Sequence, residues 1–429
     1  MAIPPWTYGL LRRGITDVAK RASETEAVER LKQQASDLLQ ELPEVAAKGI
    51  DAVLKKTEVG RKSIENWSKR QSPFQGPIIN ASGTLFHPTG TGSSMSNAAI
   101  EIGQEILSGD LSSNSINYKT FDQRLQRTVP ESLGYSICIA HNLDAAITLV
   151  ETQDRNQTIA IHENQKNIEI AGMPLIERLK TLTQMRVVGI DEYESSEKSP
   201  EDSGIELWVQ NNRSPAPTRR MNAPHSPRMI IANLCSLAEK SRHQIPSCWS
   251  LLKDDRDWVI TPGNRILGGP ECALIIGPKQ ALSELRNHHL WPSLKASEAV
   301  SLMMLVTMEL GLANPDGVPI QALLNTSLDN VRSRTERLAI RIGSTETIQE
   351  CRVKEGEAYL SSDQQWTLPS QQLLLRHQSL NADQWNRKLI DDYPCVLTTV
   401  NEDKLCIDLR WVHPADDAKL GEIFGGTVH

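Results

Sequence analysis

From residue 78 onward, short apolar runs alternate with helical or loop stretches: Ser136–Ala140, Thr158–Ile161, Arg186–Ile190, Ile205–Val209, Met229–Ile231, Trp258–Thr261 and Ala273–Ile276. Runs of this length bounded by polar or turn residues predict strands, and their alternation with helices predicts a mostly parallel sheet with crossover connections. The pattern differs on either side. Between 22 and 70, Ala27, Val28, Leu31, Ala35, Leu38 and Leu39 recur at helical spacing; Ser23 with Glu26 has the form of a capping box, and Pro43 opens a second helical stretch. This helical unit ends at the linker Ser72-Pro73-Phe74-Gln75-Gly76-Pro77. After Gly277 the pattern predicts a helix over Pro278–Asn287 and a longer one from about Glu298 to Leu312. The run Ser301–Met308 inside it is apolar nearly all round, which places it in the core or at a subunit interface. Two last strands, Cys395–Val400 and Leu405–Arg410, flank a turn at Asn401-Glu402-Asp403. The prolines between 214 and 227 deny both helix and ladder, so a surface loop is expected there instead of a regular crossover. The organisation predicted is a helical unit at 1–75, a large α/β domain at 76–312 and a small α+β domain at 313–429.

Composition narrows the function classes. A chain of 429 residues, 39% hydrophobic and 23% charged, suits two or three globular domains. No window is apolar for long enough to cross a membrane, and the arginines within Met1–Lys20 interrupt the apolar run a signal peptide needs, so a cytoplasmic location is expected. The net charge of -7 disfavours indiscriminate nucleic-acid binding. A local basic patch stays open, because the first seventy residues hold many lysines and arginines among their acidic residues. The seven cysteines are scattered and form neither a zinc pattern nor a disulfide framework, and His288-His289 lacks a third ligand at workable spacing; no metal site is expected. Met303, Met304 and Met308 are read as packing residues.

The most specific motif is Gly263-Asn264-Arg265-Ile266-Leu267-Gly268-Gly269-Pro270-Glu271, followed by the apolar run Cys272–Ile276 and Gly277. It resembles the Gly-Asp-Lys-Leu-Leu-Gly-Gly-Pro-Gln segment of the L-seryl-tRNA(Sec) selenium transferases, which carries their pyridoxal phosphate (PLP) lysine. Three further stretches resemble the same family in the same order. They are Ile79-Asn80-Ala81-Ser82-Gly83-Thr84-Leu85-Phe86-His87, His288-His289-Leu290-Trp291-Pro292-Ser293-Leu294-Lys295, and the pair formed by Pro394-Cys395-Val396 and Asp408-Leu409-Arg410. The resemblance covers residues 78 to 415. It implies the fold-type-I architecture of PLP-dependent transferases: a large domain with a mostly parallel sheet, a small C-terminal α+β domain and, here, a helical N-terminal unit. In this fold type the site is built at a dimer interface, so a homo-oligomer of at least two chains is implied.

The positions that carry the family's chemistry depart from its pattern. Arg265 stands where the lysine is expected, and a guanidinium, charged at any working pH, forms no Schiff base. Asn233, in Asn233-Leu234-Cys235-Ser236-Leu237, replaces the carboxylate that holds the pyridine nitrogen, and the turn has lost its glycines. His141-Asn142-Leu143-Asp144-Ala145 matches the phosphate turn. Asn142 keeps the ability to cap the helix, while Asp144 would repel a phosphate dianion. The arginines that serve the family's substrate become Lys119 and Lys295, which lack arginine's bidentate fork. The family's Gly-Gly-Gly motif has no counterpart in Glu357–Ser362. His141 and His162 stand at strand ends where such folds place ligands. Gly268 and Gly269 complete a vestigial cofactor site.

Two readings of Arg265 follow: an ion pair inside a filled pocket, or an anion-binding group. The five departures imply a homologue that has lost lysine-dependent PLP catalysis, with no covalently held cofactor, and that binds a small anion, a tRNA or an active paralogue. The alternative is an active selenium transferase on seryl-tRNA(Sec), with PLP held noncovalently or by another lysine; Lys253 and Lys279 flank the loop. Shorter relatives that act as lyases on amino-sugar phosphates share the lysine requirement, and the long N-terminal unit fits them less well.

Overall fold

A computed structural model describes residues 77–425 apart from 91, 110–114, 151–157, 163–164, 166–167, 171–172, 183–185, 190–204, 211–226, 240–242 and 365. The helices expected between 22 and 70, their linker and most of the Pro-rich loop lie outside the described residues.

The strands, in chain order, are β1 (Ile78–Asn80), β2 (Thr84–Phe86), β3 (Tyr135–Ala140), β4 (Thr158–Ile161), β5 (Glu169–Ile170), β6 (Met173–Pro174), β7 (Arg186–Gly189), β8 (Ile205–Gln210), β9 (Arg228–Ala232), β10 (Trp258–Pro262), β11 (Ala273–Pro278), β12 (Ile348–Ser361), β13 (Thr367–His377), β14 (Cys395–Leu397), β15 (Thr399–Asn401) and β16 (Lys404–Asp408). Seven of them form the main sheet in the order β3-β11-β10-β9-β8-β4-β7. All of its pairings are parallel except the two made by β11, which runs against β10 and β3. All seven strands expected between 136 and 276 are present, each within two residues of its expected end.

Burial on both faces explains why these strands read as continuous apolar runs. Every residue of β9 is buried. Met229 and Ile231 face one side with Ile161, Leu207 and Val209, under the helices Leu143–Val150, Leu175–Leu182 and Lys279–Asn287. Ile230 and Ala232 face the other side with Trp208, Val259 and Met304. Each large aliphatic side chain buried this way stabilises the fold by roughly 1.5–3 kcal/mol. The helix Glu298–Ala313 covers that second face and packs on the helix Asn97–Leu107. Their approach is close because a Cβ at Gly103 would lie 2.5 Å from Met303 Sδ.

A second, five-stranded sheet has the order β15-β16-β13-β12-β2. The hairpin at 401–404 is present, with Glu402 in the left-handed region at φ 57°. The single strand expected over Cys395–Val400 is instead two. β14 pairs in parallel with β1, while β15 pairs with β16. Between them Thr398 is buried and donates through Oγ1 to Asn386 Oδ1 at 2.7 Å, which takes it out of the ladder. β2 pairs in parallel with β12, so the segment 78–86 is tied to strands contributed by the C-terminal part of the chain.

Candidate active site

The parallel strands end together along one edge of the main sheet, and the loops leaving that edge carry Asn142, His162, Asn233, Arg265, Gly268 and Gly269. Such carboxyl edges are where open α/β sheets bind ligands. Leaving β10 there, the loop Gly263–Pro270 is shaped by close packing. Gly268 has φ +72°, and a Cβ on it would lie 2.5 Å from Val318 Cγ1 and 2.8 Å from Ile320 Cγ2. A Cβ on Gly269 would lie 2.4 Å from Met304 Sδ, and one on Gly263 2.4 Å from Cys272 Sγ. Gly268 N donates to Arg265 O at 3.0 Å and Gly269 N to Gly263 O at 2.9 Å, closing the turn on itself. These glycines serve close approach of the backbone to the helix Glu298–Ala313 and to the start of the helix Pro319–Asn325.

Arg265 projects from this frame. Its guanidinium carbon lies 4.8 Å from the centre of the Phe86 ring, the last residue of β2. The side chain is half-buried, and loss of solvent lowers its pKa from the ordinary value without threatening its charge. Among the described residues no carboxylate pairs with it, so the ion pair expected from the sequence is not formed there. The segment leaving β2 holds the tip from the other side. Ser93 N donates to Asn264 O at 2.9 Å and Ser93 Oγ to Arg265 O at 3.1 Å. Close by in sequence, burial lowers the pKa of His87.

At the end of β3, Asn142 caps the helix Leu143–Val150. Its Oδ1 accepts from Ala145 N at 2.8 Å, and its carbonyl accepts from Ala146 N at 3.1 Å. The expected liability of Asp144 is offset by a residue the sequence reading missed. Arg178, on the helix Leu175–Leu182, donates through Nε to Asp144 Oδ1 at 2.7 Å, and its Nη2 binds the same oxygen. Arg178 has only 11% of its side chain exposed. Its position within a single amphipathic helical turn carried no signal beyond a basic residue.

Asn233 follows β9, half-buried. Without glycines its turn is held by backbone pairing, with Ser236 N donating to Pro246 O at 2.9 Å and Cys248 N to Ser236 O at 2.8 Å. His162 follows β4, where Nε2 meets Glu206 Oε1 at 2.8 Å and the ring packs edge-on to Trp208 at 5.3 Å. His141 is exposed, and its N–H donates to Leu294 O at 2.8 Å.

Lys295 is brought to the same edge by a bridge between its backbone and Ala140. Its Nζ lies 3.3 Å from Glu298 Oε1 and 6.0 Å from the Tyr118 ring, while Tyr118 OH also reaches that carboxylate at 3.3 Å. The helix Ser115–Arg127 therefore brings exposed Lys119 into the neighbourhood of Lys295, although the two ammonium groups share no described partner. The other two lysines stand at the opposite edge. Lys253 precedes β10 and donates its N–H to Asp257 Oδ2 at 2.8 Å. Lys279 follows β11, where its N–H donates to Gly134 O ahead of β3. A five-residue strand is about 16 Å long, so neither reaches the loop at Arg265.

With this geometry in hand, known proteins locate the chain. The L-seryl-tRNA selenium transferase family model matches residues 229–413. An L-seryl-tRNA(Sec) selenium transferase of Clostridium perfringens is 19% identical over 397 residues, which cover 85% of each chain. Over these stretches the chain is similar to the selenium transferases. A second relative, from Alkaliphilus metalliredigens, is 22% identical over 176 residues, 40% of this chain and 38% of its own length. The chain thus spans about two-fifths of that relative in the matched stretch. The structure of a D-glucosaminate-6-phosphate ammonia-lyase has a TM-score of 0.57 at 14% identity, covering 82% of this chain and 95% of its own. That likeness shows the fold, which is the fold-type-I architecture of PLP-dependent transferases expected from the sequence.

PLP is the cofactor of this family. The residues present here do not fit its covalent form. Position 265 holds a guanidinium, which forms no Schiff base, and position 233 an amide. Lys295 is the lysine placed at this edge by the described residues, and it is engaged with Glu298.

Proposed function

We propose that this relative of the selenium transferases is a binding or regulatory protein whose site has lost lysine-dependent PLP catalysis. The observation that carries the reading is Arg265, set in the position of the family's lysine on an intact glycine frame, half-buried over Phe86 with no carboxylate partner among the described residues. A desolvated guanidinium left without a counter-charge favours an anionic ligand, because the cost of its partial burial is recovered when a carboxylate or phosphate approaches. On this reading Asn142, His162, Asn233, Gly268 and Gly269 are the remains of a cofactor site, and Lys119 and Lys295 are the remains of a substrate site.

The test is a calorimetric titration of the full chain with inorganic phosphate and with PLP, beside Arg265→Ala. Binding that disappears in the variant supports the reading. Binding unchanged by the substitution removes Arg265 from it.

The second reading keeps the family's activity on seryl-tRNA(Sec), with PLP held noncovalently or by another lysine. Lys295 favours it, being a lysine at the correct sheet edge. A borohydride-fixed pyridoxyl group on Lys295, lost in Lys295→Ala, would establish that reading in place of the first.

In the first reading the partner is a tRNA or an active paralogue, and in the second it is a tRNA; the names of the relatives support the tRNA. Binding that weakens steeply with added salt would support the tRNA, since phosphate contacts release counterions. A homo-oligomer is supported by exposed Ile100, Leu107 and Leu312 on the packed helices Asn97–Leu107 and Glu298–Ala313. Light scattering that returned the mass of one chain would remove it. No described helix is long and apolar enough to cross a membrane, and a cytoplasmic site of action accords with the proposal.

A further inference from the structure

The turn that carries Asn233 also carries a buried thiol that faces another. Cys235 Sγ lies 2.9 Å from Cys248 Sγ, and both residues are almost fully buried. Their backbones are held side by side: Ser236 bridges Ser247 in parallel, Ser236 N donates to Pro246 O, and Cys248 N donates to Ser236 O. Trp249 closes the same contact through Nε1 to Leu237 O at 2.7 Å. The separation between the sulfurs exceeds the ~2.05 Å of a bond by less than about 1 Å, a gap that small side-chain rotations close.

Described residues on either side of 240–242, between the two cysteines, form one wall of a cavity of about 270 Å³. Ser236, Leu237, His243 and Ile245 among them face Leu267 and Met308. Leu267 belongs to the Arg265 loop, so the wall stands beside the candidate site. His243, in the same wall, and Gln244, next to it in sequence, are both in the left-handed region at φ 52° and 62°, where residues with a Cβ are strained.

We propose that Cys235 and Cys248 form a reversible disulfide that latches this wall. One S–S bond forms and two S–H bonds break. The S–S bond of a low-molecular-weight disulfide such as oxidised glutathione breaks in exchange, and that disulfide takes up the two electrons and the two protons to become two thiols. The exchange runs through a mixed disulfide on one cysteine that the other then displaces. Burial pushes the Cys248 thiol well up from its ordinary value, so the thiolate is scarce in the closed structure and the reaction waits on local opening of the strained loop. The latch does not depend on what the neighbouring site binds.

The test incubates the full-length chain in native buffer with oxidised glutathione, alkylates the remaining thiols and digests with trypsin. Cleavage at Lys240 and Arg242 separates Met229–Lys240 from His243–Lys253, so the bond appears as a linked pair of these peptides. The expected result is loss of two of the seven thiols per chain, recovery with dithiothreitol, and no linked pair in Cys235→Ala or Cys248→Ala. If either variant fails to fold, the wild-type linkage still decides. Seven thiols retained after oxidation, glutathione held only at other cysteines, or linkage formed only in denaturant would each overturn the proposal.

Discussion

The loop Gly263–Pro270 contains two kinds of position that behave oppositely. Its glycines are held by their surroundings: Gly268 by φ +72° and the side chains of Val318 and Ile320, Gly269 and Gly263 by Met304 and Cys272. Its tip, Arg265, is half-buried, with its guanidinium over the ring face of Phe86. A frame that packs against two helices cannot change without cost to the fold, whereas a half-exposed tip can. The contrast separates the glycines, which packing holds in place, from Arg265, whose side chain is left to meet a ligand.

Substitutions should separate the two. The largest effect is expected at Gly268→Ala. The left-handed backbone and a Cβ 2.5 Å from Val318 Cγ1 together should destabilise the chain by about 2–4 kcal/mol in urea unfolding. A loss below about 1 kcal/mol would mean that the frame tolerates change after all. Met304→Ala, which opens a hole against Gly263 and Gly269, should cost about 2–4 kcal/mol by the same measurement.

Arg178→Ala should cost less, roughly 0.5–1 kcal/mol, since its partner Asp144 is 40% exposed and solvent screens the pair. Its effect should shrink in an Asp144→Asn background, and full additivity would show that the pair is not coupled. Arg265→Ala should change stability by no more than about 1 kcal/mol, the scale of one exposed cation–π contact, while removing phosphate binding. A loss of several kcal/mol would place Arg265 with the frame.

The smallest effect concerns pH. Asp408 is buried, and burial raises its carboxyl pKa against the opposing pull of Ser370, the Arg410 amide and Gln372. A folded value above the ordinary 3.8 means that the folded state holds the proton more tightly than the unfolded chain. Its contribution to stability is therefore highest below 3.8, declines as pH rises to the folded value and is flat beyond it. Thermal midpoints of Asp408→Asn, compared with wild type over that window, should lack this decline. Parallel curves would contradict it.

The sequence disclosed most of the main sheet because β3, β4 and β7 to β11 are apolar runs that any burial on two faces requires. It did not disclose β12, whose Glu350, Arg352, Lys354, Glu355 and Glu357 carry much of their length into solvent and mask the strand period. Nor did it show that β2 joins β12, a parallel contact between residues far apart in the chain. Motifs marked Arg265, Asn233 and Asn142, and the structure places them just after β10, β9 and β3. Partners from elsewhere, Arg178 under Asp144, Phe86 under Arg265 and Glu206 beside His162, come from folding and leave no local pattern.

The central claim is that the glycine frame has outlived the chemistry it once carried. The most direct measurement adds stoichiometric PLP to the full-length chain, records the visible imine absorbance, reduces with borohydride and maps any pyridoxyl group by peptide mass. The account predicts no imine band and no stoichiometric label on a lysine at the carboxyl edge of the main sheet. A reducible imine with one pyridoxyl group per chain on Lys295, or on any other lysine of that edge, would contradict it.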